Sequence, residues 1–569
     1  MNATLYGMPL EAVDFIASHL TLPDLRSLRH VSKEVSAKVT GTRRFQSFCT
    51  CKAVELRVSS LNELADFLSV PGPQANLQDL TITGVLVTTK GLTRIIRERT
   101  KPADLKDPCC VRRGEIGVGN AVPRVPATNA DVEEAIAQLA DFEQRVQTAK
   151  DESASGQDLI ALNKLFQVIK DCCKPAKLRS LTLDLIVRRE PTTVLSPALG
   201  APWRQVWEVA SHMLSIFAQA WSRSAIEINR LDVFSNTERC GIESNTLAAL
   251  GDGMGDAALR GLRSFSVSIS DRVLPQSASE LQRNADRDEE RPDIRRQRQQ
   301  REAMPSYTTV QQIFTTMQQS IARPQSSTAS SQQSVEHLKA ERERLFNDTN
   351  NVTGLANFLS RCPLLEALHI QSYWIISSFD TRERILSIQK DMWTHLASNV
   401  QLSKLRRLAI HGGDIEGGTL LKLLQSSPRL SSLDMREVDL TSSDGSGWSH
   451  IFAQLTSFRA QLSHVYLDNI FGHEAGWHSY IACSTPGLNP GDNVKTGETA
   501  RERLKRLDLV DYWDFRRPSA KGYSAFELSR REDVLRGIAY YANPGYIMGS
   551  VQNSMWMEYR KRQYGPLGY

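Results

Sequence analysis

One spacing recurs through this chain of 569 residues and limits what it can fold into: apolar-x-x-apolar-x-apolar. It stands as Leu77-x-x-Leu80-x-Ile82, Leu178-x-x-Leu181-x-Leu183 and Ile228-x-x-Leu231-x-Val233. It returns as Leu262-x-x-Phe265-x-Val267, Leu365-x-x-Leu368-x-Ile370 and Leu405-x-x-Leu408-x-Ile410, then as Leu430-x-x-Leu433-x-Met435, Leu462-x-x-Val465-x-Leu467 and Leu504-x-x-Leu507-x-Leu509. The last two apolar positions have the period of a short strand with one face inward, because side chains alternate along a strand. The leading apolar residue anchors the turn into it. Helical segments lie between the copies, such as 418–424 ahead of Pro428. The fold class that follows is α/β, with parallel strands and outer helices.

This spacing is the strand signature of a leucine-rich repeat. The Leu405 and Leu430 copies are 25 residues apart, inside the range for that repeat. Other intervals are longer, which predicts an irregular solenoid with loops inserted between units. First repeat units are expected over 46–100, further repeats over 156–270 and 336–515, and a C-terminal cap over 516–569. Residues 101–155 read as an insertion with one helix from Asp131 to Lys150. Residues 271–335 are charged and rich in Gln and Ser, the composition of a disordered linker. Within them, Arg295–Arg301 has the density of a weak nuclear signal or a phosphate-contacting tail, against the plainer reading as a solvated linker.

Composition excludes several classes. Hydrophobic residues make up 41% and charged residues 23%, too apolar for a disordered chain. The net charge of +5 is small for this length, so no nucleic-acid or membrane partner is expected. No run reaches about 18 apolar residues; Val206–Trp221 is interrupted by Glu208, His212 and Gln219 and reads as a core helix. Glu11 and Asp14 and the lack of a basic leader predict no signal peptide, hence a protein of the cytosol, the nucleus or both. Nine scattered cysteines predict free thiols in a reduced compartment, and Cys49-x-Cys51 lacks zinc-site spacing.

No motif for chemistry is found. The run 251–256, Gly-Asp-Gly-Met-Gly-Asp, lacks the Gly-Lys-Ser/Thr ending of a phosphate loop and is expected to be a loop between repeats. His473, His478 and Cys483 are five apart, a spacing that drifts around a helix. No cofactor, metal or catalytic residue is assigned, and the chain is expected not to be an enzyme.

The N-terminus is different. Residues 8–20 form a short helix with Leu10, Val13, Ile16, Ala17 and Leu20 on one stripe and Phe15 off it. Leu22-Pro23-Asp24 restarts a second helix carrying Leu25, Leu28 and Val31, and a third piece ends near Val39. A unit of this size buries too little surface to stand alone. Its apolar surface either caps the repeats or docks a partner.

The run from Met8-Pro9-Leu10-Glu11 through Ile16, Leu20, Asp24-Leu25 and Val31-Ser32-Lys33 resembles the F-box, and the domain is assigned to 1–45. Met8 stands where Leu is usual, and Val35 where Trp is common. Looser likenesses around Arg43-Arg44-Phe45, Cys362–Leu368 and Ser426–Leu430 point to fungal F-box proteins with leucine-rich repeats. The resemblance implies a substrate-recognition subunit of an SCF-type cullin–RING ubiquitin ligase, with no catalysis of its own. Pro9, Leu10, Glu11, Ile16, Leu20, Leu25, Val31 and Lys33 would bind the Skp-type adaptor, and through it the cullin and RING subunits. An unidentified substrate would meet outward positions of the strands: Asp232, His369, Gln371, His411, Asp434, Arg436, Tyr466, Asp468 and Asp508. Tyr373, Trp374, Tyr512 and Trp513, just after strands, would anchor it. The alternatives are a scaffold without a ligase role and a nucleic-acid-associated protein using Arg295–Arg301.

Overall fold

Thr21, Ser32 and Thr42 cut the first fifty residues into helices by capping them. The Thr21 hydroxyl accepts from the Asp24 amide while the Asp24 carboxylate accepts from the Thr21 amide at 3.0 Å. Ser32 caps Val35 at 3.2 Å, and Thr42 caps Phe45 at 3.3 Å. The result is four helices: α1 (Leu10–Ser18), α2 (Leu22–Arg29), α3 (Lys33–Gly41) and α4 (Arg43–Thr50). The sequence reading expected three. The fourth follows from Thr42, a cap that lets Phe45 turn inward.

The structure is a computed structural model. It describes residues 7–70, 76–102, 124–173, 176–188, 194–195, 203–237, 240–251, 256–270, 340, 343–373, 379–441, 447–457, 461–468, 470–474, 477–484, 494–495, 525–528, 531–535 and 538–543.

Beyond α4 the chain alternates strand and helix. The strands are β1 (Cys51–Glu55), β2 (Asp79–Val87), β3 (Ser180–Arg188), β4 (Arg230–Val233), β5 (Ser264–Ser270), β6 (Ala367–Tyr373), β7 (Arg407–Glu416), β8 (Ser432–Thr441) and β9 (His464–Asp468). Each pairs parallel with the one before it, so chain order is also spatial order. The intervening helices include α5 (Val58–Ser69), α6 (Lys90–Glu98), α7 (Asn129–Ala154), α8 (Gln157–Cys172) and α9 (Trp203–Ser224). Further along come α10 (Asn350–Ser360), α11 (Phe379–Asn399), α12 (Gly417–Gln425) and α13 (Trp448–Leu455). The sheet does not close into a barrel. Past β9 it continues with Ala525–Leu528, antiparallel to β9, while Phe471–Glu474 pairs parallel with the end of β8 and forms a hairpin with Trp477–Ser484.

The recurring apolar positions face the helices. Leu80, Leu181, Leu231, Phe265, Leu368, Leu408, Leu433 and Val465 are buried in one row across the sheet, in register. Ile82, Leu183, Val233, Val267, Ile370, Ile410, Met435 and Leu467 make the next row. Trp207 and Trp221 on α9, Trp393 on α11 and Trp448 on α13 are fully buried behind them. Buried indole N–H groups need acceptors; Trp221 donates to the Ile226 carbonyl at 2.8 Å and Trp448 to that of Phe471 at 2.7 Å.

A main-chain device repeats at the strand starts. The amides of Arg179 and Ser180 both donate to the Gln78 carbonyl, at 2.7 and 3.2 Å. The same fork joins Arg263 and Ser264 to Asn229, Glu366 and Ala367 to Arg263, and Arg406 and Arg407 to Glu366. It joins Ser431 and Ser432 to Arg406, and Ser463 and His464 to Ser431. One carbonyl thus satisfies two N–H groups at each junction.

Strands β7 and β8 are longer and share a break. The buried side runs Leu408, Ile410 and then Ile415 on β7; on β8 it runs Leu433, Met435 and then Val438, Leu440. Alternation therefore slips by one between His411↔Arg436 and Gly413↔Val438. Gly412 and Gly413 supply the backbone for it, with φ of 71° and 123°. A Cβ on Gly412 would stand 2.5 Å from the Ser372 carbonyl oxygen.

Candidate functional site

Two surfaces carry the residues expected to act. The first is the sheet face turned away from the helices, where register brings separate repeats together. One row reads Asp232, Ser266, His369, Ala409, Asp434, Tyr466, and the next Ser268, Gln371, His411, Arg436, Asp468. Diagonal neighbours in adjacent strands are within reach of long side chains, and a zigzag of contacts crosses four strands. His369 Nε2 is 3.0 Å from His411 Nδ1, and His411 Nε2 is 3.5 Å from Asp434 Oδ1. Arg436 donates to both oxygens of Asp434, at 2.8 and 2.7 Å, and its guanidinium lies 4.7 Å from the Tyr466 ring centroid.

The electrostatics follow from these contacts. Burial pushes the His369 imidazole down to about 3, helped by the neighbouring His411, so it stands neutral. Burial alone would raise Asp434, but the close His411 ring and the hydrogen bonds from Arg436 hold its carboxyl below the usual range. The strip is thus a fixed anion–cation pair with an imidazole edge and a phenol ring beside it. Of these, Arg436 and Tyr466 are side-chain types that anchor interfaces.

Asp232 departs from the expected outward, accessible position. It is only 1% exposed, and its carboxylate accepts from the Ser235 amide at 2.9 Å, the Ser235 hydroxyl at 2.8 Å and Asn236 Nδ2 at 2.5 Å. It closes the turn after β4, as Asp does when it satisfies local amides. Tyr373 and Asp468 end their strands, with Asp468 opposite Arg436 in register. Trp374, Asp508, Tyr512, Trp513, the Leu504 copy of the repeat and Arg295–Arg301 lie outside the described residues. Sequence reasoning missed Asp414 and Asp439, buried side by side in register beyond the slip. The Gly412-Gly413 pair is the signal that alternation breaks there.

The second surface is the four-helix unit. It has its own small core of Val13, Ala17, Leu25, Val35, Val39 and Phe45. Lys38 Nζ donates to the Met8 carbonyl at 2.7 Å, the Arg43 amide to Asp14 at 2.7 Å, and the Arg29 guanidinium sits 4.5 Å from the Phe45 ring centroid. Leu25, expected at a partner contact, is wholly buried in that core because the α2 stripe turns it inward. Val35 is buried there too, so a smaller residue than Trp fills the third helix's contact. Pro9, Glu11 and Lys33 are exposed, and Ile16 and Leu20 are half-buried. Leu10 is 46% exposed, Val31 69% and Phe15 71%. Phe15, left off the expected contacts, was signalled by its place on the side of α1 opposite Val13.

Elsewhere, Ser153, His212 and Asp158 meet, with Ser153 Oγ 2.8 Å and Asp158 Oδ2 3.6 Å from His212 Nε2. Both converge on the same ring nitrogen, whereas a nucleophile and its orienting acid must use opposite ones. Burial pushes the Cys362 thiol up to about 12 and the Cys240 thiol upward as well, away from thiolate chemistry. Cys49, Cys51, Cys172, Cys173, Cys240 and Cys362 are free. His473 and His478 are register partners across a hairpin, and no cluster of metal-ligating side chains occurs among the described residues. Nor is any described helix long and apolar enough to cross a membrane. No protein-family model matches the chain, and no curated protein matches it.

Proposed function

We propose that this chain is an F-box-type receptor of a cullin–RING ubiquitin ligase. In this reading the four-helix unit is the F-box and docks a Skp-type adaptor. The strand–helix array is a degenerate leucine-rich-repeat solenoid that holds the target protein. Catalysis by such a subunit is proximity: it brings a lysine of the target near the ubiquitin-carrying enzyme.

The observation that carries the reading is the exposure of Phe15, Val31 and Leu10 on a unit that already has its own core. Phe15 and Val31 are the most exposed of the large apolar side chains among the described residues. Covering each contributes about 1.5–3 kcal/mol, enough for a few such contacts to make a specific complex. The His411–Asp434–Arg436–Tyr466 strip supports the target-holding role, since it unites separate repeats on one face.

Co-purification with a Skp-type adaptor tests this. The wild-type chain is expected to retain the adaptor through gel filtration. Phe15→Asp combined with Val31→Asp is expected to release it while leaving the helical circular dichroism unchanged. A wild-type chain that never binds, or a double variant that binds as well, rejects the docking face. Ubiquitin transfer to a stably bound partner in a reconstituted ligase then separates a receptor from a scaffold.

A further inference from the structure

The rim formed by the strand starts is strongly basic, and it goes beyond both surfaces above. Lys177, Arg230, Lys404, Arg406, Arg407 and Arg429 stand on it, all exposed. None has a hydrogen-bonded or ion-paired carboxylate among the described residues. Arg179 and Arg263 are also there, paired with Asp79 and Glu366 of the neighbouring strands. Beyond these two acids the rim holds Glu227. The register row through Arg230 and Arg407 has Ser264, Ala367 and Ser432 beside them, too short to cover the cations, and ends at His464 on β9. Like charges so close repel one another, and the forked main-chain hydrogen bonds hold them in place.

The geometry of this rim matches one chain of anions. From β3 to β8 the strand starts extend about 24 Å at the usual spacing of about 4.8 Å. An extended peptide of about seven residues has that length. The cations stand at the strand starts or within three residues before them, in one file along the rim. A duplex presents two phosphate strands flanking a groove, which a single file does not match. Single-stranded nucleic acid binds by stacking bases on aromatic rings, and no Phe, Tyr or Trp stands at these rim positions.

We infer that the basic rim of the strand starts is a docking surface for an extended acidic polypeptide segment. The carboxylates would take Arg406, Arg407, Lys404 and Arg230 as partners, with the neighbouring serines donating to them. Its test is anisotropy of fluorescein-labelled oligoglutamate with the full-length chain, at about 50 mM and about 200 mM NaCl. Saturable binding that weakens with salt is expected. Arg406→Glu with Arg407→Glu is expected to weaken it about tenfold or more. Lys404→Glu with Arg429→Glu, on two separate loops, should do the same. Both pairs are exposed, so unchanged melting curves certify the fold. The inference is overturned by the absence of saturable binding, by equal affinity in both double variants, or by tighter binding of an oligothymidine of matching charge.

Discussion

His369 sits half-buried against a second imidazole, His411, which separates it from the Asp434–Arg436 pair, and that position sets a pH dependence. In the folded chain it holds no proton until about pH 3, against a usual value of 6.5. The unfolded chain therefore takes up a proton first as pH falls below 6.5. Proton uptake favours unfolding, so stability is lost from pH 6.5 down towards 3, at up to about 1.4 kcal/mol per pH unit. Asp434 acts in a lower window. Its depressed value adds stability above the usual 3.8 that is lost only as pH falls below it. Urea unfolding of His369→Gln between about pH 6.5 and 4 should give a flatter slope than wild type. Parallel slopes would show that His369 is protonated freely in the fold.

At the scale of elements, the paired slip in β7 and β8 rests on Gly412. Its φ of 71° and the nearby Ser372 carbonyl act together. Gly412→Ala should cost about 1–3 kcal/mol in chemical denaturation. Gly156→Ala is the control: φ is 68°, nothing lies within 4 Å, and the loss should be smaller, about 1 kcal/mol. Equal losses would mean that strain, and not the Ser372 carbonyl, decides. These elements also show how much the sequence carried. Every described copy of the apolar spacing became a buried anchor and a strand, because each needs only its local residues to choose a face. Asp131–Lys150 became the longer α7 for the same reason. The slip was harder to read because two long strands must shift together, and Gly412-Gly413 marks it on β7 alone. Asp232 was misread because period two gives the side of a strand but not the turn that follows it. The fourth helix was missed where Thr42 caps one residue past a glycine.

At the scale of the whole molecule, the helical unit encloses a core of its own. It is separate from the large apolar interior that runs from Val54 to Val534 and from the smaller clusters around Phe142 and Phe346. A chain shortened to begin at Thr50 should keep its main thermal transition within about 4 °C of wild type, read by circular dichroism. Loss of a cooperative transition would show that the unit caps the array. The forked hydrogen bonds have a further consequence for this long body. At β3, and again from β5 to β9, they tie each strand to the one before it through carbonyls and amides that every residue but proline possesses. A rim side chain such as Arg406 or Arg407 can therefore be exchanged, arginine for glutamate or serine, without removing any of these main-chain bonds. The frame is written in the main chain and the address in the side chains, so recognition can be rewritten position by position while the architecture stands.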